Sequence, residues 1–489
     1  MNKTPRQLID RREFLNRAGS MAGIAFLGAT GLTACVNNKP SPNSGMSYDE
    51  AWRTADDIRN NIARTSFPNK TFDIRAYGAR AGGAIDATKA FANAIAACHA
   101  AGGGKVLVSG GTYLSGPIHL LSNVNLHVEK GARIAFITDP KAYLPAVFTR
   151  WEGMELMGYS PLIYAYRQEN IAITGEGTLD GQANRTTWWP WKGGAWKGGK
   201  NWSVPGFPTQ DEGREQLQRA MEAGVAPEQR LFAEGANLRP PFVQPYECER
   251  VLIEGVTIVN SPFWLLNPVL CNDVIVRGVT CDSMGPNSDG CDPESCDRVL
   301  IEDCYFDTGD DCIAIKSGRN HDGRRINRPS QNIVIRNCHM RRGHGGVVIG
   351  SEMSGGVRNV FVEHCEMNSP DLERGLRIKT NSVRGGVVEN FFARDITIVE
   401  VKNAIVIDFQ YEEGDAGEHT PIVRNIDFRG ITCAKAERVF QVRGYERSPI
   451  SNLALRNCDF KQVKEIGVLE HMDAMTAENV RINGTPFTI

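Results

Sequence analysis

Val251-Leu252-Ile253, Val274-Ile275-Val276, Val299-Leu300-Ile301, Ile333-Val334-Ile335 and Val360-Phe361-Val362 are short runs of branched and aromatic residues, and Leu453-Ala454-Leu455 repeats the pattern further on. Successive starts from 251 to 360 lie 23, 25, 34 and 27 residues apart. A repeat of this length, with a three-residue β core and turn residues between cores, is the mark of a solenoid. One coil cannot bury its inner face alone; stacked coils bury it together, each strand pairing with the next. The connections lack helical spacing, which disfavours a βαβ arrangement, whose crossovers need a helix. The expected fold is all-β, a parallel β-helix.

The cysteines keep the same register. Cys304, Cys338, Cys365 and Cys458 each fall five residues after the first residue of their strand core, and Cys281 and Cys433 close similar strands. Free cysteine is among the most buried residue types, so a ladder of buried thiols is expected. Disulfides between coils stay open, because stacked strands sit about 4.8 Å apart. No CxxC pair occurs, which disfavours metal ligation.

Working outward, residues 71–79 and 105–108 read as strands flanking a helix at 88–100, and residues 47–63 as a short helix. Residues 36–70 are taken as linker and N-terminal helix, and 71–489 as the β-helix domain. Residues 184–239 interrupt the coil pattern. Five of the chain's eight tryptophans fall between Trp188 and Trp202, followed by a charged helical stretch at 211–223. This insertion either lines a cleft with aromatic faces or packs itself onto the solenoid. Ahead of all this, Arg11-Arg12, an apolar stretch at 21–32 and Leu32-Thr33-Ala34-Cys35 resemble a twin-arginine-type export signal ending in a lipobox, departing from the twin-arginine pattern at Asp10 and Asn16. The apolar stretch is too short for a bilayer, which takes roughly 20 residues. Residues 1–35 are therefore expected to direct export, with a lipid on Cys35 and an extracytoplasmic bacterial location in the periplasm or on the outer membrane. The formal net charge of -2 over 489 residues gives no sign of nucleic-acid binding.

Asn287-Ser288-Asp289-Gly290, Gly309-Asp310-Asp311-Cys312, Gly343-His344-Gly345 and Arg377-Ile378-Lys379 fall in four successive coils, each past a strand core. Stacking brings them side by side. Three carboxylates held together cannot all ionise cheaply: like charges raise one pKa and leave another low. That separates a proton donor from a base, the division glycoside hydrolysis requires. Arg377 and Lys379, two apart on a strand, share a face and suit a sugar carboxylate. His344, between glycines, can approach an acid or a sugar hydroxyl closely. Each segment alone is commonly a turn or a solvated face; the ordered set is not.

The four segments resemble the signature motifs of glycoside hydrolase family 28, the polygalacturonases and their relatives: Asn-Thr-Asp, Gly-Asp-Asp, Gly-His-Gly and Arg-Ile-Lys. Ser288 replaces the threonine. Tyr411, 32 residues after Lys379, matches a family tyrosine by spacing. Residues 72–113 and Ile173-Thr174-Gly175-Glu176-Gly177-Thr178-Leu179-Asp180-Gly181 are also similar, so the resemblance covers about residues 71–460. It implies a right-handed parallel β-helix that hydrolyses α-linked galacturonides with inversion, without metal or cofactor. Asp310 would be the general acid, with Asp289 and Asp311 activating water. His344 would support the acid's protonation, while Arg377, Lys379, Tyr411 and Asn287 bind substrate. Inversion would place the carboxyls about 6.5–9.5 Å apart. The expected partner is a pectic oligo- or polysaccharide, cut from a chain end because the insertion is large enough to wall off the groove. The alternatives are an endo-acting or rhamnogalacturonan-directed hydrolase of the same family, a Ca²⁺-dependent pectate lyase using the same aspartates, and a sugar-binding β-helix without activity.

Overall fold

A computed structural model describes residues 45–194, 200–473 and 475–489; the readings of residues 1–35, of Cys35 and of Trp196 lie outside the described residues. Residues 45–489 form one compact unit. The chain winds through three parallel sheets, one strand of each per coil. The first sheet runs from Thr71–Asp73 to Thr476–Ile482, and the register Val274↔Val299↔Ile333↔Val360↔Phe391 stacks equivalent residues over one another. The second begins at Gly111–Ser115 and includes Thr280–Ser283, Tyr305–Thr308 and His339–Met340. The third passes through Ile163–Tyr166, Val243–Tyr246, Ile313–Ile315, Val347–Ile349 and Arg374–Lys379. This is the solenoid expected from the repeat.

The outer residues of the triplets also have a job. In Val274-Ile275-Val276 the flanking valines enter the interior, while Ile275 points out. Ile275, Leu300, Val334, Phe361 and Phe392 form an outward column buried under the helix Tyr48–Asn61, against Trp52, Ala55 and Ile58. The runs are continuously apolar because both faces of the sheet are covered. That helix starts at Ser47, whose hydroxyl accepts from the Glu50 N–H. Each first-sheet strand is entered through a left-handed residue, among them Asn332, Asn359, Asn390 and Asn425. Asparagine tolerates that conformation, and its amides stack: Asn359 donates to Asn332, and Asn390 to Asn359, each at 2.9 Å.

The outer face of the third sheet is covered differently. A hairpin, Val147–Trp151 with Met154–Gly158, and the insertion's helix Asp211–Glu222 lie over it. All twelve cysteines among the described residues are free and buried, matching the thiol ladder. Among the described residues no helix is long and apolar enough to cross a membrane.

Candidate active site

The four sequence segments meet where the second sheet turns into the third. The pairings Cys291↔Ile313, Ile313↔Val347 and Val347↔Leu376 put them in consecutive coils. One carboxylate oxygen from each of Asp289, Asp310 and Asp311 lies within 4.8 Å of the others. This corrects the wider spacing of about 6.5–9.5 Å expected of an inverting pair. Asp310 and Asp311 are adjacent residues, and Asp289 belongs to the preceding coil, so the strand spacing of about 4.8 Å sets their separation.

Asp311 is fully buried, and Lys379 donates to it at 2.6 Å and Arg377 at 3.4 Å. Parity had placed these two cations on one face, and there they are, with Leu376 and Ile378 turned into the core. In the free site they grip an aspartate. Tyr411 lies beneath them, its ring centre 5.4 Å from the Arg377 guanidinium and 5.3 Å from the Lys379 ammonium. Burial raises its phenol to about 12. Asn287 spends its side-chain oxygen on Arg239 at 2.7 Å.

His344 stands half-exposed at the mouth, its Nδ1 2.9 Å from Asp310. Gly-His-Gly is a requirement of fit: a Cβ on Gly343, at φ +149°, would meet the Asp310 carbonyl at 2.4 Å, and one on Gly345 would meet Asp311 Oδ1 at 3.0 Å. The three carboxyls are unequal. Burial drives Asp289 far above the usual carboxylate range, and the neighbouring carboxyls of Asp292 and Asp310 push the same way. Burial would raise Asp310 too, but the charge and hydrogen bond of His344 outweigh it, and Asp310 is held below the normal range. Asp310 in turn raises His344.

Sequence reasoning missed Arg239 and Lys316. Arg239 is fully buried and donates to the carbonyls of Pro262 and Pro286, to Gln210 and to Asn287, tying the insertion to the coil of Asp289. Lys316 stands 3.9 Å from Asp289 and pairs with Glu352 at 3.2 Å. The outward parity of Lys316 after Ile313 and Ile315 could have flagged it; nothing local marks Arg239. The insertion's tryptophans mainly pack. Trp188, Trp191 and Trp202 are buried, whereas Trp189 is half-buried and donates to the Ser261 carbonyl at 2.9 Å. A Cβ on Gly285 would strike Trp189 at 2.3 Å, so this ring abuts the turn before Asp289.

A carboxylate cluster with a basic clamp on a parallel β-helix is the site of a glycoside hydrolase, and the comparisons agree. The model described as glycosyl hydrolases family 28 matches residues 230–482, and the chain belongs to that family. It is similar to a hyperthermoactive exopolygalacturonase from Thermotoga maritima, with 43% identity, 89% of this chain and 97% of that one covered, and a TM-score of 0.85. It is 27% identical over 391 residues to a probable polygalacturonase of Vitis vinifera, covering 76% of this chain and 70% of the relative. A family 28 exopolygalacturonase from Yersinia enterocolitica, at 22% identity with 87% of this chain and 80% of that one covered, shares the fold with a TM-score of 0.62.

Proposed function

We propose that this enzyme hydrolyses α-1,4-linked galacturonic acid at the ends of pectic chains or oligogalacturonides, with inversion. The observation that carries the reaction is the cluster of three unequal aspartates set between His344 and the Arg377–Lys379 clamp. Asp310 delivers the proton to the leaving oxygen. That proton rests on His344, crosses the 2.9 Å hydrogen bond to the Asp310 carboxylate and passes from Asp310 to the leaving oxygen. Asp289 and Asp311 take the proton from the attacking water, and the Arg377–Lys379 clamp turns part of its charge to the sugar carboxylate. Inversion is taken from the family; the tight carboxyl spacing gives it no support, so the anomer of the first product, read by NMR, decides it. A β-configured product supports inversion and an α-configured one refutes it.

A second reading exchanges the roles, because burial raises the Asp289 carboxyl far above the usual carboxylate range, as suits a proton donor. An aryl galacturonide whose leaving group needs no protonation separates the two. The variant lacking the general acid retains turnover on it, and the variant lacking the base does not. Terminal action is supported by the insertion's contact with the coil of Asp289 through Trp189 and Arg239. Early release of monogalacturonate with slow viscosity loss is expected; a rapid viscosity fall with mixed oligomers would show internal cutting. Export and lipidation at Cys35 complete the proposal. Labelled fatty acid should enter the wild type and not Cys35→Ala.

A further inference from the structure

Asp292 lies three residues past Asp289 and has no part in the reaction above. Cys291 before it points into the core, so Asp292 faces outward, between Asn267 and Ala314 in the register of the third sheet. It is fully buried, and neither of its side-chain oxygens has a hydrogen-bond partner among the described residues. The charged groups around it are Asp289 on its own loop, Asp310, Asp311 and Lys316 from the next coil, and Glu352 from the coil after that. The one ammonium in this set is committed elsewhere: Lys316 pairs with Glu352 at 3.2 Å and stands 3.9 Å from Asp289.

An ionised carboxylate with no donor in a buried site is costly, and the group takes up a proton instead. Asp289 and Asp292 are neighbours in the same low-dielectric floor, and both cannot ionise cheaply. Lys316 pulls on both carboxyls, but it stands within 3.9 Å of Asp289, whereas Asp292 has no paired cation among the described residues. We propose that Asp292 stays a neutral carboxylic acid through the catalytic cycle, confining the negative charge at this end of the cluster to Asp289 and leaving Asp289 free to serve as base. Asp292 is thus a positioning residue acting through Asp289. Burial pushes its carboxyl far above the usual range against the pull of Lys316, and the charges of Asp311, Asp310 and Glu352 add to the rise. Keeping Asp292 neutral removes one of the charges that would hold the proton on Asp289.

The proposal rests on reading Asp289 as part of the base, so its test includes two measurements that do not involve catalysis. Asp292→Asn preserves shape and neutrality. Its kcat should stay within about threefold of wild type, since no transition-state contact is lost. It should melt higher than wild type at about pH 7, by a margin that shrinks toward about pH 4, because only the wild type must take up a proton on folding, at a cost that grows as pH rises above the unfolded carboxyl value. Infrared difference spectra at neutral pH should show a carboxylic-acid carbonyl band that the variant lacks. Asp292→Leu, also neutral, supplies the same melting comparison if the amide variant does not fold. A variant that melts lower than wild type at neutral pH, a spectrum with no band lost, or a hundredfold fall in kcat for Asp292→Asn would each overturn the proposal. Inactivity of Asp289→Asn is a separate question: if that variant stays active while the melting and infrared results hold, the role of Asp289 fails and the protonation of Asp292 stands.

Discussion

Two outward columns, built by the same stacking, behave in opposite ways. On the first sheet Ile275, Leu300, Val334, Phe361 and Phe392 lie under the helix Tyr48–Asn61. On the third, Gln244, Asn267, Asp292, Ala314, Val348 and Arg377 follow one another under the hairpin and the insertion. Both columns are buried. The apolar one is satisfied by contact alone and stabilises the fold through the area it removes from water. The polar one needs specific partners, some from distant parts of the chain: Gln244 donates to the Arg150 carbonyl at 2.9 Å and to Asn267 at 2.8 Å, and Arg377 to Asp311 at 3.4 Å. Buried ion pairs add little net stability and cost much when half-removed. A solenoid that can stack isoleucines keeps such a column where chemistry requires unequal, desolvated charges.

The largest expected effect falls on the polar side. Asp310→Asn should lower kcat by about 10²–10⁴-fold, the usual worth of a positioned proton donor, with little change in melting temperature. Steady-state kinetics and a thermal melt check both halves. Turnover like that of wild type would remove Asp310 from the role.

Next comes a pair of variants that sets the columns against each other. Lys379→Met leaves Asp311 fully buried with only Arg377 at 3.4 Å, and should cost about 3–5 kcal/mol in chemical unfolding as well as activity. Adding Asp311→Asn should restore much of the stability and none of the activity. Leu300→Ala, on the apolar column, should cost about 2–5 kcal/mol and leave kcat unchanged. Equal catalytic loss in both would show that the two faces are mechanically coupled.

How much of this was legible beforehand follows the same division. The inward valines and isoleucines recur with the coil, so the sheets and their register could be read directly from Val274, Val299, Ile333 and Val360. The four motif segments sit at fixed offsets from those cores, which brought Asp289, Asp310, Asp311, His344, Arg377 and Lys379 together correctly. The hairpin at 147–158 and the partners Arg150, Glu155 and Arg230 gave no periodic signal, because each is satisfied by a residue far off in the chain. The Arg377–Lys379 face was predictable from alternation, but its grip on Asp311 was not, since that depends on the length of two side chains across two coils. Asp292 sits two residues beyond a motif that ends at Gly290.

A smaller effect concerns pH. His344 is raised by Asp310, so it remains charged above its ordinary range. The charged pair contributes fully below the unfolded imidazole value and is lost as pH rises through the folded one. Activity should fall along that alkaline limb as the stored proton leaves. His344→Gln, which has no proton to lose, should show a lower and flatter pH–rate profile. An alkaline limb unchanged in the glutamine variant would assign it to another group.

The smallest effect tests the boundary of the apolar column, where the asparagine ladder enters each first-sheet strand. Asn359 is half-buried, has a left-handed backbone with φ 57°, donates to Asn332 and accepts from Asn390. Two substitutions divide its contribution. Asn359→Gly keeps the backbone conformation free of strain and removes the two amide hydrogen bonds, worth about 0.5–1.5 kcal/mol each at most because water can replace them at a half-exposed site. Asn359→Ala removes the same bonds and adds a left-handed penalty of about 1–2 kcal/mol. Denaturant unfolding should therefore rank wild type above the glycine variant and the glycine variant above the alanine one, with kcat unaffected in both. If glycine and alanine are equally destabilised, the ladder rests on its amides and the backbone turn relaxes freely. If glycine matches wild type, the asparagines are there for the turn alone, and the neutral ladder contributes nothing that the charged column on the far sheet could be compared with.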